Sequence, residues 1–495
     1  MFEKSKKFLF RNTNTKQTVA KNTVWLSISN FGGRILKAVI IIYAARVLGT
    51  AQYGVLSYAL TLTAFLTLFI DPGINAILVR DASRGTPEEK RAIFSTTLFI
   101  KIVLLAAGAL IVLFIGPSFS TLPGAKILLP AAAVIIVCDS IREFLSAYIR
   151  TRERMEQEAA IFMTTNAAIV ILGFIALRMS PTPLFLIWAY AGGTAVGMVT
   201  AVVTFRDQLK NLGSFFSKRL IGPIFRSAWP FAITGALGAM LTGCDILIIS
   251  WMKTASDVGM YAAAIRIIQV LYLVPTIIQF SILPLLARLA RRDDKKFATA
   301  MERIVGTVFL ASIPLALGGV IVGTQVMTLV YGSAYAAGGL PFKILMLTML
   351  IDFPATIIST AIFAYDRQKS LIITSLVAGI PNVVLDLILI PRFGMAGSAV
   401  ATLIAQFLGN WYLWRTLKKI NQFKVLPHLK KAALAGIVMA VTTTILLISG
   451  TNVIANVLIS GAVYIGMLIA LHEPLLFEIG AIIAPERLIA PTDSP

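Results

Sequence analysis

The chain has 495 residues, with 44 Lys and Arg against 23 Asp and Glu for a formal charge of +21, yet only 14% of residues are charged and 57% are hydrophobic. Soluble domains carry about 25% charged residues, so a water-solvated globule is excluded and the basic excess does not point to nucleic acid. Cys138 and Cys244 fall inside apolar stretches, and His428 and His472 have no second His or Cys at ligand spacing, so no disulfide, metal or cofactor is expected.

Fourteen apolar stretches run at 24–48, 54–79, 92–115, 126–149, 159–178, 184–205, 226–251, 259–287, 303–323, 341–365, 370–390, 396–416, 432–449 and 453–471. A helix needs ~20 apolar residues to cross ~30 Å of hydrocarbon. The expected fold is an all-α polytopic membrane protein of about 14 transmembrane helices.

The leader, 1–23, is basic and shows no small-residue cleavage site, so span one is expected to stay in the membrane. Within span one, Ser27, Asn30, Arg34 and Lys37 recur at the spacing of one helical face. Span two is interrupted by Asp71-Pro72-Gly73 and Asn75, and span three carries Lys101 near its middle. Span four places Asp139, Arg142, Glu143 and Ser146 on one face, where the charges either neutralise one another or meet a substrate. Between spans six and seven, 206–227 sets Leu212, Phe215, Phe216, Leu220, Ile224 and Phe225 on one face, as in an interfacial amphipathic helix. Span seven holds Asp245, span eight Tyr261, Arg266, Gln269 and Tyr272, span ten Asp352 and span eleven Asp386. Pro72, Pro230, Pro275, Pro284, Pro314, Pro354 and Pro381 interrupt the spans, as in a molecule that bends or lines a void.

Every second connection collects Lys and Arg, as at Arg150, Arg152 and Arg154, while those between, such as 117–124 and 325–340, are nearly free of them. Cytoplasmic loops carry that excess, so both termini are expected in the cytoplasm. A charge at mid-membrane costs ~2.5–3.5 kcal/mol on insertion scales. Arg34, Lys37, Lys101, Arg142 and Arg266 facing lipid would together cost on the order of 12–17 kcal/mol, so they are expected to face water or a partner.

A faint repeat relates Thr50-Ala51-Gln52-Tyr53-Gly54 to Thr254-Ala255-Ser256-Asp257-Val258-Gly259, and Trp25 to Trp229. It is parallel, of the kind that relates two transporter halves. The expected organisation is a cytoplasmic segment 1–23, an N-lobe 24–205 (helices 1–6), a linker 206–227, a C-lobe 228–417 (helices 7–12), two further helices in 418–471 and a cytoplasmic tail 472–495. The lobes are pseudo-symmetric, with six helices each, and the basic stripe of span one is expected to face Arg266 across the pseudo-twofold axis.

Three passages carry a family likeness. They are Ala45-Arg46-Val47-Leu48-Gly49-Thr50-Ala51-Gln52-Tyr53-Gly54 with Phe69-Ile70-Asp71-Pro72-Gly73-Ile74-Asn75 and Val79 to Arg84; Tyr331-Gly332-Ser333-Ala334-Tyr335; and Asn382 to Gly394 with Ala396-Gly397-Ser398-Ala399. Over nearly its whole length the chain resembles the oligosaccharide and polysaccharide flippases of the multidrug/oligosaccharidyl-lipid/polysaccharide exporter superfamily. The resemblance implies a secondary transporter rather than an enzyme. It would move a polyprenyl-diphosphate-linked glycan from the cytoplasmic to the outer leaflet of the plasma (inner) membrane by alternating access. Expected partners are that glycan, membrane lipids, a coupling proton or sodium ion, and the glycan polymerase or glycosyltransferases of cell-surface polysaccharide synthesis. In the related lipid II flippases, bases in helices one, two and eight are thought to hold diphosphate. Arg34 and Arg266 match two of these by helix and depth, whereas span two carries Asp71 in place of a base.

Substrate-binding candidates are accordingly Asn30, Arg34, Lys37, Lys101, Arg142, Arg266 and Gln269; ion-coupling candidates are Asp71, Asp139, Glu143, Asp245 and Asp352. A lipid II flippase and a multidrug-type cation antiporter of the same superfamily are the alternatives. A membrane polymerase or ligase would need a sizeable outer loop with catalytic residues, and 325–340 contains no Asp, Glu, His, Lys or Arg.

Overall fold

The computed structural model describes residues 15–119, 122–207 and 215–477, and all secondary structure among them is helical. The start of the basic leader, the middle of the 206–227 linker and most of the expected cytoplasmic tail therefore lie outside the described residues. In chain order the main helices are α1 (Thr15–Ile70), α2 (Ile74–Arg84), α3 (Pro87–Leu110), α4 (Leu129–Arg150), α5 (Met155–Met179), α6 (Pro183–Phe205) and α7 (Ile221–Met252). They continue as α8 (Ala255–Leu271), α9 (Leu273–Leu289), α10 (Asp294–Tyr331), α11 (Gly339–Met346), α12 (Met349–Ala364), α13 (Gln368–Ile420), α14 (Leu426–Ile448) and α15 (Val453–Ala470).

Among the described residues, nine helices are long and apolar enough to cross a bilayer, or ten if a pair bent by 44° around residues 347–348 counts as one. Two of the longest runs hold two passages each, since α1 is kinked at Gly49 and α13 at Gly394. A helix thus lies over each of the fourteen apolar stretches. The protein is an all-α, multi-pass membrane protein.

Local chemistry marks the ends. Thr86 opens α3 with Pro87 behind it, its hydroxyl accepting from the Glu89 amide while the Glu89 carboxylate accepts from the Thr86 amide. Thr182 with Pro183 and Asp293 before Asp294 open α6 and α10 by the same means.

The chain divides into two compact units, Met1–Gly259 and Met260–Pro495. In the first, α5 and α6 lie close because Gly193 and Gly197 carry no side chain. A Cβ on Gly193 would sit 2.6 Å from the Ile169 nitrogen, and one on Gly197 2.0 Å from Thr165 Oγ1. This is small-residue packing, which membrane helices use where the hydrophobic effect gives no drive. Phe94, Phe144, Tyr148 and Phe205 join α3, α4 and α6 in one buried aromatic cluster.

The described part of the linker leans on α3, with the Phe215 ring 5.4 Å from the Arg91 guanidinium and Phe216 4.9 Å from Phe99. Ile221 already opens α7, so the apolar face through Ile224 and Phe225 runs on into that long helix. In the second unit, α14 and α15 are tied by the Asn456 amide donating to the Thr443 carbonyl at 3.0 Å. Tyr464 fixes α15 to α10 through the Leu310 carbonyl at 3.1 Å.

Candidate functional site

In the first unit, α1 packs on α5 through its glycine face. A Cβ on Gly33 would fall 2.4 Å from the Phe162 ring, and Ile40, fully buried, lies against Gly173. Arg34 and Lys37 are exposed, off that face. The Lys37 amine lies 5.8 Å from the centroid of the Tyr190 ring on α6. Arg34 has no hydrogen bond or ion pair among the described residues. The side chain of Asn30, on the same stripe, lies outside what is described.

The polar break in span two is a true interruption. Pro72 has no amide hydrogen, and Gly73 takes φ +89°, a left-handed conformation that disfavours side chains. A Cβ there would also meet Phe231 Cβ of α7 at 2.5 Å. Asp71, released from the helix, accepts the Asn75 amide at 3.3 Å and is ion-paired with the Lys101 amine of α3 at 3.1 Å. The Lys101 amine is fully buried.

Arg142 is buried on α4 and saturated by its own helix. It donates to Asp139 at 2.7 and 3.0 Å and to Glu143 at 2.8 Å, with the Phe162 ring 5.8 Å away. The chain of charge runs on through Arg150, 3.9 Å from Glu143, to Glu158 at 2.5 Å. A further pair was not anticipated: Lys21, counted with the basic leader, is fully buried and bonded to Glu156 at 2.8 Å. The signal lay in Glu156 and Glu158, two acids in the first turn of α5. Asp245 is buried in α7.

In the second unit, Arg266 on α8 is half-buried and donates to Gln269 Oε1 at 2.9 Å, with no carboxylate paired to it among the described residues. Two turns on, Tyr272 occupies the break between α8 and α9. Its hydroxyl donates to Asp352 on α12 and lies 3.1 Å from Thr348 Oγ1, and Asn410 of α13 donates to Asp352 at 2.8 Å. Asn410 and Thr348 were not singled out from the sequence, although an Asn inside span twelve was signal enough. Asn382 and Thr402 on the two halves of α13 meet at 3.4 Å, beside buried Asp386 and Ser398. Among the described residues, no three His, Cys, Asp or Glu gather as a metal would require.

The deep cations therefore fall into two classes. Lys101 and Arg142 are held by carboxylates, whereas Arg34 and Arg266 have no carboxylate partner among the described residues. The profile of the polysaccharide biosynthesis proteins matches residues 19–290, more than half of the chain. The chain belongs to that family. It is similar to a probable flippase, AglR, of Haloferax volcanii, 29% identical over 36% of this chain and 38% of that protein. The likeness to the same organism's probable low-salt glycan biosynthesis flippase Agl15 is 21% identity over 78% of this chain and 81% of that one. Among solved structures, the inward closed form of the lipid II flippase MurJ superposes with a TM-score of 0.77 at 18% identity. That match covers 92% of this chain and all of the other. This chain shares the fold of that structure over most of its length.

Proposed function

We propose that this member of the family is a flippase that moves a polyprenyl-diphosphate-linked oligosaccharide from the cytoplasmic to the outer leaflet by alternating access, for cell-surface polysaccharide synthesis. The observation that carries the reading is the division of the deep cations. Arg34 and Arg266 have no carboxylate partner among the described residues, and a guanidinium inside a membrane is costly without one. A diphosphate offers what they lack, since guanidinium groups bind phosphate oxygens in charge-assisted, often bidentate hydrogen bonds. Lys37 and Gln269 add donors on the same two helices, and Asn30 lies on the Arg34 stripe. Lys101 and Arg142 support the site by holding Asp71, Asp139 and Glu143.

The basic connections support an orientation with both termini in the cytoplasm, and in this reading the protein sits in the plasma (inner) membrane and works with the polymerase or glycosyltransferases that use its cargo. Energy comes from a proton or sodium gradient in this reading. A multidrug-type antiporter would need free carboxylates for its cations, and three of the five candidates are engaged by Lys or Arg.

The test is flipping of a lipid-linked oligosaccharide by the reconstituted protein. A charged hydrogen bond contributes ~1.5–3 kcal/mol, so Arg34→Ala and Arg266→Ala should each lower the rate about 10- to 100-fold with the thermal transition unchanged. Wild-type rates in both variants would refute the assignment.

A further inference from the structure

We infer that Asp352 is the proton-carrying residue of this protein, resting on the reading above that transport is driven by an ion gradient. Among the five carboxylates expected to serve coupling, Asp71 is paired with Lys101, Asp139 and Glu143 share Arg142, and Asp245 is buried within the single unbroken helix α7. Asp352 is different in kind. Its hydrogen-bond partners are neutral, Tyr272 and Asn410, and Thr348 shares the Tyr272 hydroxyl.

Charged groups of the neighbouring helices have other contacts, and Asp386 of α13 is fully buried one turn from Asn382. On α8, Arg266 holds Gln269. α10 has no charged residue between Arg303 and Tyr331. On α13, Arg415 stacks over Trp411 at 3.9 Å. Lys343 of α11 packs its stem against Gly323. No ion pair engages Asp352 among the described residues.

A carboxyl held by neutral groups can take up and release a proton without breaking an ion pair, and its donors receive the carboxylate when the proton leaves. Protonation adds one proton from water to a carboxylate oxygen, and release returns it, with no other bond made or broken. Asn410, which bonds the carboxyl, also borders a small, mainly apolar cavity with Ile351, Pro354 and Trp411.

The position explains what the proton does. Tyr272 sits where α8 ends and α9 begins, and Thr348 sits where α11 bends into α12 by 44°. The carboxyl therefore joins two interrupted spans at their break points. When it is ionised, Tyr272 must donate to it; when it is protonated, the Tyr272 hydroxyl is released to rotate toward Thr348. Arg266 lies about 9 Å along the helix axis from Tyr272 at 1.5 Å per residue, so the charge of Asp352 and the angle of the Arg266-bearing helix are linked.

The experiment is infrared difference spectroscopy of the whole protein with isotope-labelled Asp, titrated through the neutral range with and without sodium. A protonated-carboxyl band should be present in wild type, missing in Asp352→Asn and displaced in Tyr272→Phe, and insensitive to sodium. A band that survives in Asp352→Asn, the absence of any titrating carboxyl band in wild type, or its removal by sodium at constant pH overturns the proposal. In proteoliposomes, Asp352→Asn should bind the lipid-linked glycan as wild type does but move no protons with it. Wild-type proton movement in that variant also overturns it. If wild type binds no such glycan, the flippase reading fails while the infrared result still decides the proton site.

Discussion

At the scale of single residues, the membrane makes pairing a condition of burial. Lys101 is fully enclosed, and its amine has Asp71 at 3.1 Å. Removing one partner of such a pair leaves an uncompensated charge, at a cost of ~3–5 kcal/mol. Lys101→Met should therefore destabilise strongly, whereas Lys101→Met with Asp71→Leu should recover most of the loss, because apolar replacements of buried pairs are often neutral. Thermal unfolding of the four proteins of this cycle in detergent checks it, and additive losses would show that the pair does not act as a unit. The sequence made both residues conspicuous through their depth. It could not join them, because spans two and three supply the two charges from separate helices and no periodicity relates them. Arg142 is the opposite case: its acids lie three residues before and one after it on the same helix, so the cluster was readable from spacing alone.

Among elements, the legible features were those written in local chemistry. Thr86, Pro87 and Glu89 spell a capped helix start, and the structure forms both bonds of the box. The Glu89 carboxyl is held below its ordinary value of 4.5, first by the Thr86 backbone amide and then by the Thr86 hydroxyl. A lowered carboxylate contributes stability above its unfolded value and loses it as pH falls through the folded one. Glu89→Gln should accordingly lower stability a little at neutral pH, with the difference from wild type fading as pH falls below about pH 4.5, as a melting series against pH would record. Less legible was how helices meet. The Gly193 and Gly197 spacing that brings α6 onto α5 is present in the chain, but small residues are common in every span. The break at Tyr272 was signalled only by Pro275, three residues on, since the interruption leaves the apolar composition of span eight untouched.

For the molecule as a whole, composition and the recurrence of apolar stretches were enough to fix the class of fold. The internal repeat was faint, and its two best copies turn out to touch. A Cβ on Gly54 would fall 1.8 Å from the Ala255 carbonyl oxygen, and one on Gly259 would fall 2.0 Å from that of Thr50. The hydroxyls of Thr50 and Ser256 bond at 2.8 Å alongside. Overpacking costs ~1–3 kcal/mol in ordinary cores, and here the obstacle is backbone, which yields less than a side chain. Gly54→Ala and Gly259→Ala should each lower the melting temperature, and the double variant should lose less than the sum, because one methyl already parts the contact. Equal melting of all four proteins would count against a rigid seam.

That contact carries a consequence for engineering. The two similar turns are each other's immediate surroundings, so a bulkier side chain on either is obstructed by its counterpart, and any redesign of one has to be drawn together with the other.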